Sequence, residues 1–180
     1  MDRLGLSLLF LASSTFAGSA LSCDDIFKGQ VRNKLHSSKQ VDLCELTQDK
    51  AVLFVNTASQ CGFTPHFKSL EALHKQYESK GLVVVGMPSD NFWQEEDDEA
   101  DTAKVCYINY GVTFTMLSTG EVRGDDADPV FKQLAEKSGS APKWNFYKYL
   151  VDTNGDVQVF PPTTAPDSEE FQSAVSALLK

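Results

Sequence analysis

Hydrophobic positions change their spacing between residues 51 and 87, and this change predicts the centre of the fold. Residues 52–55 form a short, partly β-branched apolar run, which is typical of a strand buried on both faces. From Phe67 onwards the apolar positions recur every three or four residues, which predicts an amphipathic helix ended by Gly81. A second valine-rich run follows at residues 82–87. Strand, helix and strand in this order predict a right-handed parallel βαβ unit.

Alternating and short apolar runs predict the remaining strands. Residues 24–46 alternate around polar turn residues, which predicts an N-terminal hairpin or meander. A third strand is predicted at residues 113–117. Near the C-terminus, residues 146–151 and 157–160 read as two strands joined by a turn that contains Asn-Gly, a strong hairpin signal.

Helical spacing predicts three further helices. One runs from about residue 99 to residue 109 and follows an acidic stretch, residues 95–101, which is expected to be solvated or to form a first helical turn. A second opens at Pro129. The last is expected to be capped by Asp167, with Glu170 as the partner in a capping box.

Length and composition predict one soluble domain behind an export signal. Residues 1–22 contain an apolar stretch followed by small residues, which is typical of a secretory signal peptide and too short for a stable membrane span. Residues 23–180 are then the mature domain, periplasmic or secreted, with lipidation at Cys23 as the less favoured alternative. The net charge of −9 argues against nucleic acid or an anionic membrane surface as a partner.

The four cysteines are expected to divide into a structural pair and a reactive pair. An oxidising compartment permits disulfides, and four cysteines allow three full pairings. Cys23 and Cys44 flank the segment before the first buried strand and would make a clip, which leaves Cys61 and Cys106 available for chemistry. Cys61 lies at the strand-to-helix junction, where free backbone N–H groups and the helix dipole favour a thiolate. The alternative is an inert, buried cysteine.

The order of the elements predicts an α/β, thioredoxin-like fold. It has an N-terminal β-hairpin and a central mixed sheet flanked by helices, and it closes with an antiparallel hairpin and a helix. In that layout, the residues just before the hairpin face the early cysteine, and here they are Lys143, Trp144 and Asn145. The chain lacks a Cys-x-x-Cys motif, so a local dithiol exchange at Cys61 is excluded.

Four passages in order resemble the glutathione peroxidase family over residues 51–166. They are VNTASQCGFT at residues 55–64, NFWQEE at residues 91–96, YGVTF at residues 110–114 and KWNFYKYLVDTNG at residues 143–155. By this resemblance Cys61 is the peroxidatic residue, and Gln94, Trp144 and Asn145 are its partners in a catalytic tetrad. Cys106 corresponds to the resolving cysteine of two-cysteine members.

The resemblance implies a thiol peroxidase that reduces hydrogen peroxide and organic hydroperoxides through a cysteine sulfenic acid and protects against oxidative stress. It needs no metal or other cofactor, only an external thiol reductant, either glutathione or a thioredoxin-like protein. Because the stretch between Pro129 and Trp144 is short, a monomer is expected. The alternatives are an exported thiol–disulfide oxidoreductase and a non-enzymatic redox sensor.

The residue types at the predicted site suit peroxide chemistry on their own terms. A free cysteine is mostly protonated at neutral pH, so the site must favour the thiolate. The Trp144 indole and the amides of Gln94 and Asn145 are uncharged N–H donors that can stabilise negative charge on sulfur or on a departing oxygen. His66 shares the loop with Cys61, but no orienting Asn or Asp is evident, so it is interpreted as a polar loop residue.

Overall fold

The computed structural model describes residues 23 and 25–179, which form two β-sheets and five α-helices. The predicted signal peptide at residues 1–22 lies outside this part of the chain. Within the described residues, no helix combines the length and the apolar character that a membrane crossing needs.

The described residues contain seven strands, distributed over a small sheet and a central sheet. They are β1 (Val31–Asn33), β2 (Gln40–Asp42), β3 (Ala51–Thr57), β4 (Leu82–Pro88), β5 (Thr115–Met116), β6 (Lys148–Val151) and β7 (Val157–Phe160). The first two pair antiparallel. The other five form one mixed sheet in the order β5-β4-β3-β6-β7, with β3, β4 and β5 parallel and β6 and β7 antiparallel to their neighbours. This is the predicted thioredoxin-like arrangement.

The helices are α1 (Leu43–Thr47), α2 (His66–Tyr77), α3 (Glu99–Ala103), α4 (Pro129–Ser138) and α5 (Glu169–Leu178). A short 3₁₀ turn, Glu78–Lys80, follows α2, and Gly81 then takes the left-handed conformation that glycine adopts without steric cost. Helix α3 continues directly into a π-helical segment, Lys104–Asn109.

Alternate residues of β3 point into two separate hydrophobic cores. Leu53 and Val55 belong to the core that the apolar stripes of α2 and α5 cover. Val52 and Phe54 belong to the opposite core, which α4 covers. Because both faces of the central sheet are covered, β3 and β4 carry continuous apolar runs, as the sequence predicts.

The structure corrects several predicted boundaries. The segment after β2 turns into α1, because the Asp42 side chain accepts hydrogen bonds from two backbone N–H groups and caps a helix where the alternating pattern predicted strand. The last helix is capped by Ser168, whose Oγ accepts from Phe171 N at 3.3 Å, and not by Asp167. The predicted strand at residues 113–117 is reduced to two residues, and the one at 146–151 begins at Lys148.

A disulfide joins Cys23, the first residue that the structure describes, to Cys44 in helix α1. The two cysteines are 21 residues apart, and their Cα atoms lie 5.3 Å from each other, inside the usual range for a disulfide. The cross-link therefore fastens the start of the described chain to the small sheet and its following helix.

The central sheet also contains a fully buried lysine, Lys148, at the first position of β6. Its Nζ donates to the backbone carbonyl of Phe146 at 2.8 Å and to that of Pro161 at 3.1 Å. Burial lowers the pKa of Lys148 from 10.5 to about 7. These hydrogen bonds join the two ends of the β6–β7 hairpin on the inside of the protein.

Replacing both Cys23 and Cys44 by serine is expected to lower the free energy of unfolding by about 3 kcal/mol, because the unfolded chain regains the freedom that the closed loop removes. Urea unfolding followed by circular dichroism measures this loss. Wild-type protein unfolded in excess reductant is the control and should match the double variant. An unchanged midpoint in the variant would contradict a structural role for the disulfide.

The stability difference between the wild type and Lys148→Met is expected to depend on pH. Between pH 7 and pH 10.5 the unfolded chain binds a proton on Lys148 that the folded protein does not, so wild-type stability gains relative to the variant as pH rises through this window. Urea unfolding at about pH 6 and about pH 9 measures the change. A difference that is equal at both pH values would show that Lys148 keeps its ordinary pKa in the fold.

Candidate active site

Three loops leave the central sheet at the same edge. Thr57 and Pro88 are paired at the carboxyl ends of the parallel strands β3 and β4. Since β6 runs antiparallel to β3, with Lys148 opposite Val55, the residues that precede β6 approach the same edge. The loops 58–65, 89–98 and 143–147 therefore meet there, and they carry the predicted site residues.

Cys61 lies in the loop between β3 and α2, which closes on itself through Thr64. The backbone N–H of Cys61 donates to Thr64 Oγ1 at 3.0 Å, and that hydroxyl donates to the carbonyl of Ala58 at 3.0 Å. The Cys61 Sγ accepts a hydrogen bond from the backbone N–H of Phe63 at 3.4 Å, and the residue is 7% exposed. The sulfur therefore has a backbone donor, in the loop that leads into α2 at His66.

Gln94 and Asn145 come together at this edge. Asn145 Nδ2 donates to Gln94 Oε1 at 3.1 Å, and the Gln94 carbonyl accepts from the backbone N–H of Gln60, next to Cys61, at 2.9 Å. Asn145 is fully buried, and its Oδ1 has no hydrogen-bond partner among residues 25–179. The two side-chain amides are thus fastened to each other, and the backbone of Gln94 is fastened to the loop of Cys61.

Trp144 is 39% exposed, and its ring packs against Phe92 with 5.5 Å between the ring centroids. In the described part of the chain, its indole N–H makes no hydrogen bond, and none of the three predicted partner side chains donates to the Cys61 sulfur. The structure therefore brings Gln94, Trp144 and Asn145 to the same sheet edge as Cys61, while the sulfur itself is bonded by backbone.

Two bulky residues in the left-handed conformation flank the paired amides. Trp93, directly before Gln94, has φ of +55°, and Phe146, directly after Asn145, has φ of +63°. Each such residue costs about 1–3 kcal/mol and persists only where its surroundings impose it. Neither conformation is predictable from the sequence, because aromatic side chains give no local signal for positive φ.

Asn56 is a residue that the sequence analysis missed. It lies fully buried near the end of β3 and makes three hydrogen bonds to the loop before β6. Its Nδ2 donates to Trp144 O at 3.0 Å, its Oδ1 accepts from Tyr147 N at 3.0 Å, and its backbone carbonyl accepts from Phe146 N at 2.7 Å. A polar residue that directly follows the apolar run 52–55 was the available signal.

The prediction for the acidic stretch 95–101 is confirmed in part: Glu99 and Asp101 lie in the first turn of α3, whereas Glu95 is neither solvated nor helical. Glu95 is buried, and its Oε1 accepts from Thr102 Oγ1 at 3.0 Å and from the Glu96 backbone N–H at 2.9 Å. Burial raises the pKa of Glu95. Asp98 caps α3 through the N–H of Ala100, in agreement with the expected role of acidic residues at a helix start.

Cys106 is a buried free thiol in the π-helical segment that follows α3. Burial, reinforced by the negative charge of Glu95, raises its pKa to about 12. It belongs to the same hydrophobic core as Cys61, and the structure holds both cysteines as free thiols. Cys106 is therefore a protonated thiol at neutral pH, in a type of helix that is often found at functional sites.

His66 is the first residue of α2 and not a loop residue as predicted. Burial and the nearby charge of Lys148 lower its pKa to about 4, although Asp167 opposes the shift. Its ring packs against Phe63 and Phe146, and it makes no hydrogen bond to Cys61 within residues 25–179. A neutral, packed ring agrees with the expectation that His66 does not form a hydrolase-type pair with Cys61.

The described residues contain no group of three or more His, Cys, Asp or Glu side chains that could hold a metal ion. The donor set at the sheet edge is instead a thiol, two amides and an indole, which are suited to hydrogen bonding and nucleophilic chemistry.

Comparison with known proteins identifies the family. The family model for glutathione peroxidase matches residues 29–135, more than half of the chain. The chain is 45% identical over 136 residues to glutathione peroxidase-like peroxiredoxin 2 of Saccharomyces cerevisiae, covering 71% of this chain and 84% of that protein. It is 40% identical over 136 residues to a glutathione peroxidase of Lactococcus lactis subsp. cremoris, covering 72% and 85%.

A solved structure supports the thioredoxin-like fold. The crystal structure of Trgpx in apo form superimposes with a TM-score of 0.67 at 29% identity, and the match covers 87% of this chain and 97% of that one. The thioredoxin-like fold and the peroxidase relatives agree with the thiol-centred site at the sheet edge. This chain belongs to the glutathione peroxidase family and is a peroxidase, an oxidoreductase that reduces hydroperoxides.

Proposed function

We propose that Cys61 is the peroxidatic residue of this thiol peroxidase. Its thiolate attacks the terminal oxygen of a hydroperoxide, a sulfur–oxygen bond forms, and the O–O bond breaks. Sulfur is oxidised to sulfenic acid, and the departing oxygen leaves as an alkoxide or hydroxide that takes a proton from water to give an alcohol or water. The observation that carries this proposal is the position of Cys61 in the loop before α2, with a backbone N–H on its sulfur and with the paired Gln94 and Asn145 fastened to that loop through Gln60.

Gln94, Trp144 and Asn145 are proposed to stabilise the negative charge that develops on the departing oxygen. The pairing of the two amides and the packing of Trp144 on Phe92 support this role, because donors held in place need little reorganisation during the reaction. None of the three is an acid, so they can supply hydrogen bonds without supplying the proton.

Cys106 is proposed to resolve the sulfenic acid. Its thiol attacks the Cys61 sulfur, a disulfide forms, and water leaves with the sulfenic oxygen and the thiol proton. Both cysteines are buried free thiols, and Cys106 lies in a π-helical segment next to a densely acidic stretch. We infer that this segment opens locally to bring the two sulfurs together, and that an external thiol then reduces the disulfide.

The reductant is proposed to be glutathione or a thioredoxin-like protein, and the enzyme to be an exported monomer that protects against oxidative stress. The Cys23–Cys44 disulfide supports export, since disulfides persist in oxidising compartments. The short connection between α4 and β6, only residues 139–147, supports a monomer.

Cys61→Ser is expected to abolish consumption of hydrogen peroxide and of an organic hydroperoxide, because a serine hydroxyl is not ionised at neutral pH and cannot attack the O–O bond. A peroxide-consumption assay with excess thiol reductant measures the loss. Cys23→Ser combined with Cys44→Ser is the matched control that keeps Cys61 and should retain activity while the protein stays folded. Wild-type turnover by Cys61→Ser would refute the assignment.

Cys106→Ser is expected to keep the first turnover with peroxide and to lose steady-state turnover with a thioredoxin-like donor, because the sulfenic acid then has no internal thiol partner. Burst amplitude and steady-state rate are measured in the same stopped-flow experiment. A small monothiol that attacks the sulfenic acid directly should restore turnover. Unchanged turnover of the variant with the protein donor would contradict the resolving role.

A further inference from the structure

We propose that Asn56 and Lys148 form a buried clamp that positions Trp144 and Asn145 for the reaction. The proposal rests on the roles given above to those two side chains. The clamp consists of the hydrogen bonds that these two buried residues make to the backbone of residues 144–147 and to Pro161, at the edge of the sheet from which the loop emerges.

The Asn56 side chain acts as a bridge between β3 and the loop. It donates to the carbonyl of Trp144 and accepts from the N–H of Tyr147, so it spans the two residues that bracket Asn145 and Phe146. With its own backbone carbonyl bonded to Phe146 N, Asn56 makes three hydrogen bonds, to Trp144, Phe146 and Tyr147. Since β3 also leads into the loop of Cys61, the same strand positions the thiol and its partners.

Lys148, which directly follows the loop, bonds it from the C-terminal side. Its Nζ donates to the Phe146 carbonyl and to the Pro161 carbonyl, two backbone acceptors that burial removes from water. Burying a lysine is costly in general, and burial lowers its pKa here, which indicates that stability alone does not explain the choice of residue. A methionine of similar length would fill the space without these hydrogen bonds.

The clamp holds the backbone of Phe146 in its strained, left-handed conformation. A bulky residue at positive φ returns to an ordinary conformation unless its surroundings prevent it. The Phe146 N–H and C=O are bonded by Asn56 and Lys148, and its ring packs against Phe67. Releasing this residue would rotate the chain at Asn145 and Trp144, which directly precede it, and a displacement of about 1 Å can cost 100-fold in rate.

The test compares Asn56→Ala and Lys148→Met with a control, Leu134→Ala. Leu134 is a buried residue of α4 in the hydrophobic core on the other face of the sheet from Cys61. All proteins carry Trp93→Phe, so Trp144 is the single tryptophan, and all are measured at a temperature where each is folded. The first readout is the rate constant for loss of the Cys61 thiol after one equivalent of hydrogen peroxide. The second is acrylamide quenching of Trp144 fluorescence.

We expect both clamp variants to react about 10- to 100-fold more slowly with peroxide and to show stronger quenching, while Leu134→Ala matches the parent in both readouts. Clamp variants within twofold of Leu134→Ala in rate would overturn the proposal. Trp144→Phe separates this outcome from a failure of the proposed function. If Trp144→Phe reacts at the parent rate, the indole has no catalytic role and that part of the proposed function fails. The clamp is then judged by fluorescence alone, and unchanged quenching of Trp144 in the clamp variants would overturn it.

Discussion

The register of β3 against its two neighbours is the constraint on which the rest of the site depends. Because β3 runs parallel to β4 and antiparallel to β6, three loops that are distant in sequence leave the sheet at one edge. The edge is then secured by polar contacts: Gln60 to Gln94, Asn145 to Gln94, and Asn56 to the loop of Trp144. Hydrophobic packing on both faces of the sheet supplies the stability that lets this edge contain strained and buried polar groups.

The two free thiols share one hydrophobic core but differ in the groups near their sulfur atoms, and this difference matches the roles proposed for them. Cys61 lies in the loop that leads into α2, and its sulfur accepts a hydrogen bond from the backbone N–H of Phe63. Cys106 is buried beside a carboxylate, and its pKa is raised to about 12. In the proposed mechanism Cys61 is the nucleophile, and Cys106 stays protonated until its π-helical segment moves. The separate Cys23–Cys44 disulfide leaves both of them free.

Long apolar runs and helical stripes made the fold predictable, because β3, β4, α2 and α4 bury the side chains that define the pattern. Boundaries decided by one polar contact were not predictable: Ser168 and Asp167 are both good caps, and Asp42 starts a helix inside an alternating pattern. Motifs identified the residues of the site, but they did not identify the neighbouring residues that hold the site in place. Glu95 gave the signal of a solvated acid, and the positive φ of Trp93 and Phe146 is imposed by tertiary contacts that no local pattern encodes.

The central claim is that peroxide oxidises one sulfur, Cys61, and that Cys106 completes the exchange. Mass spectrometry of the disulfides after one equivalent of hydrogen peroxide tests it most directly, with protein alkylated before and after the addition. The account predicts a new Cys61–Cys106 disulfide and an unchanged Cys23–Cys44 disulfide. Peroxide consumed while Cys61 is still recovered as a free thiol would contradict it.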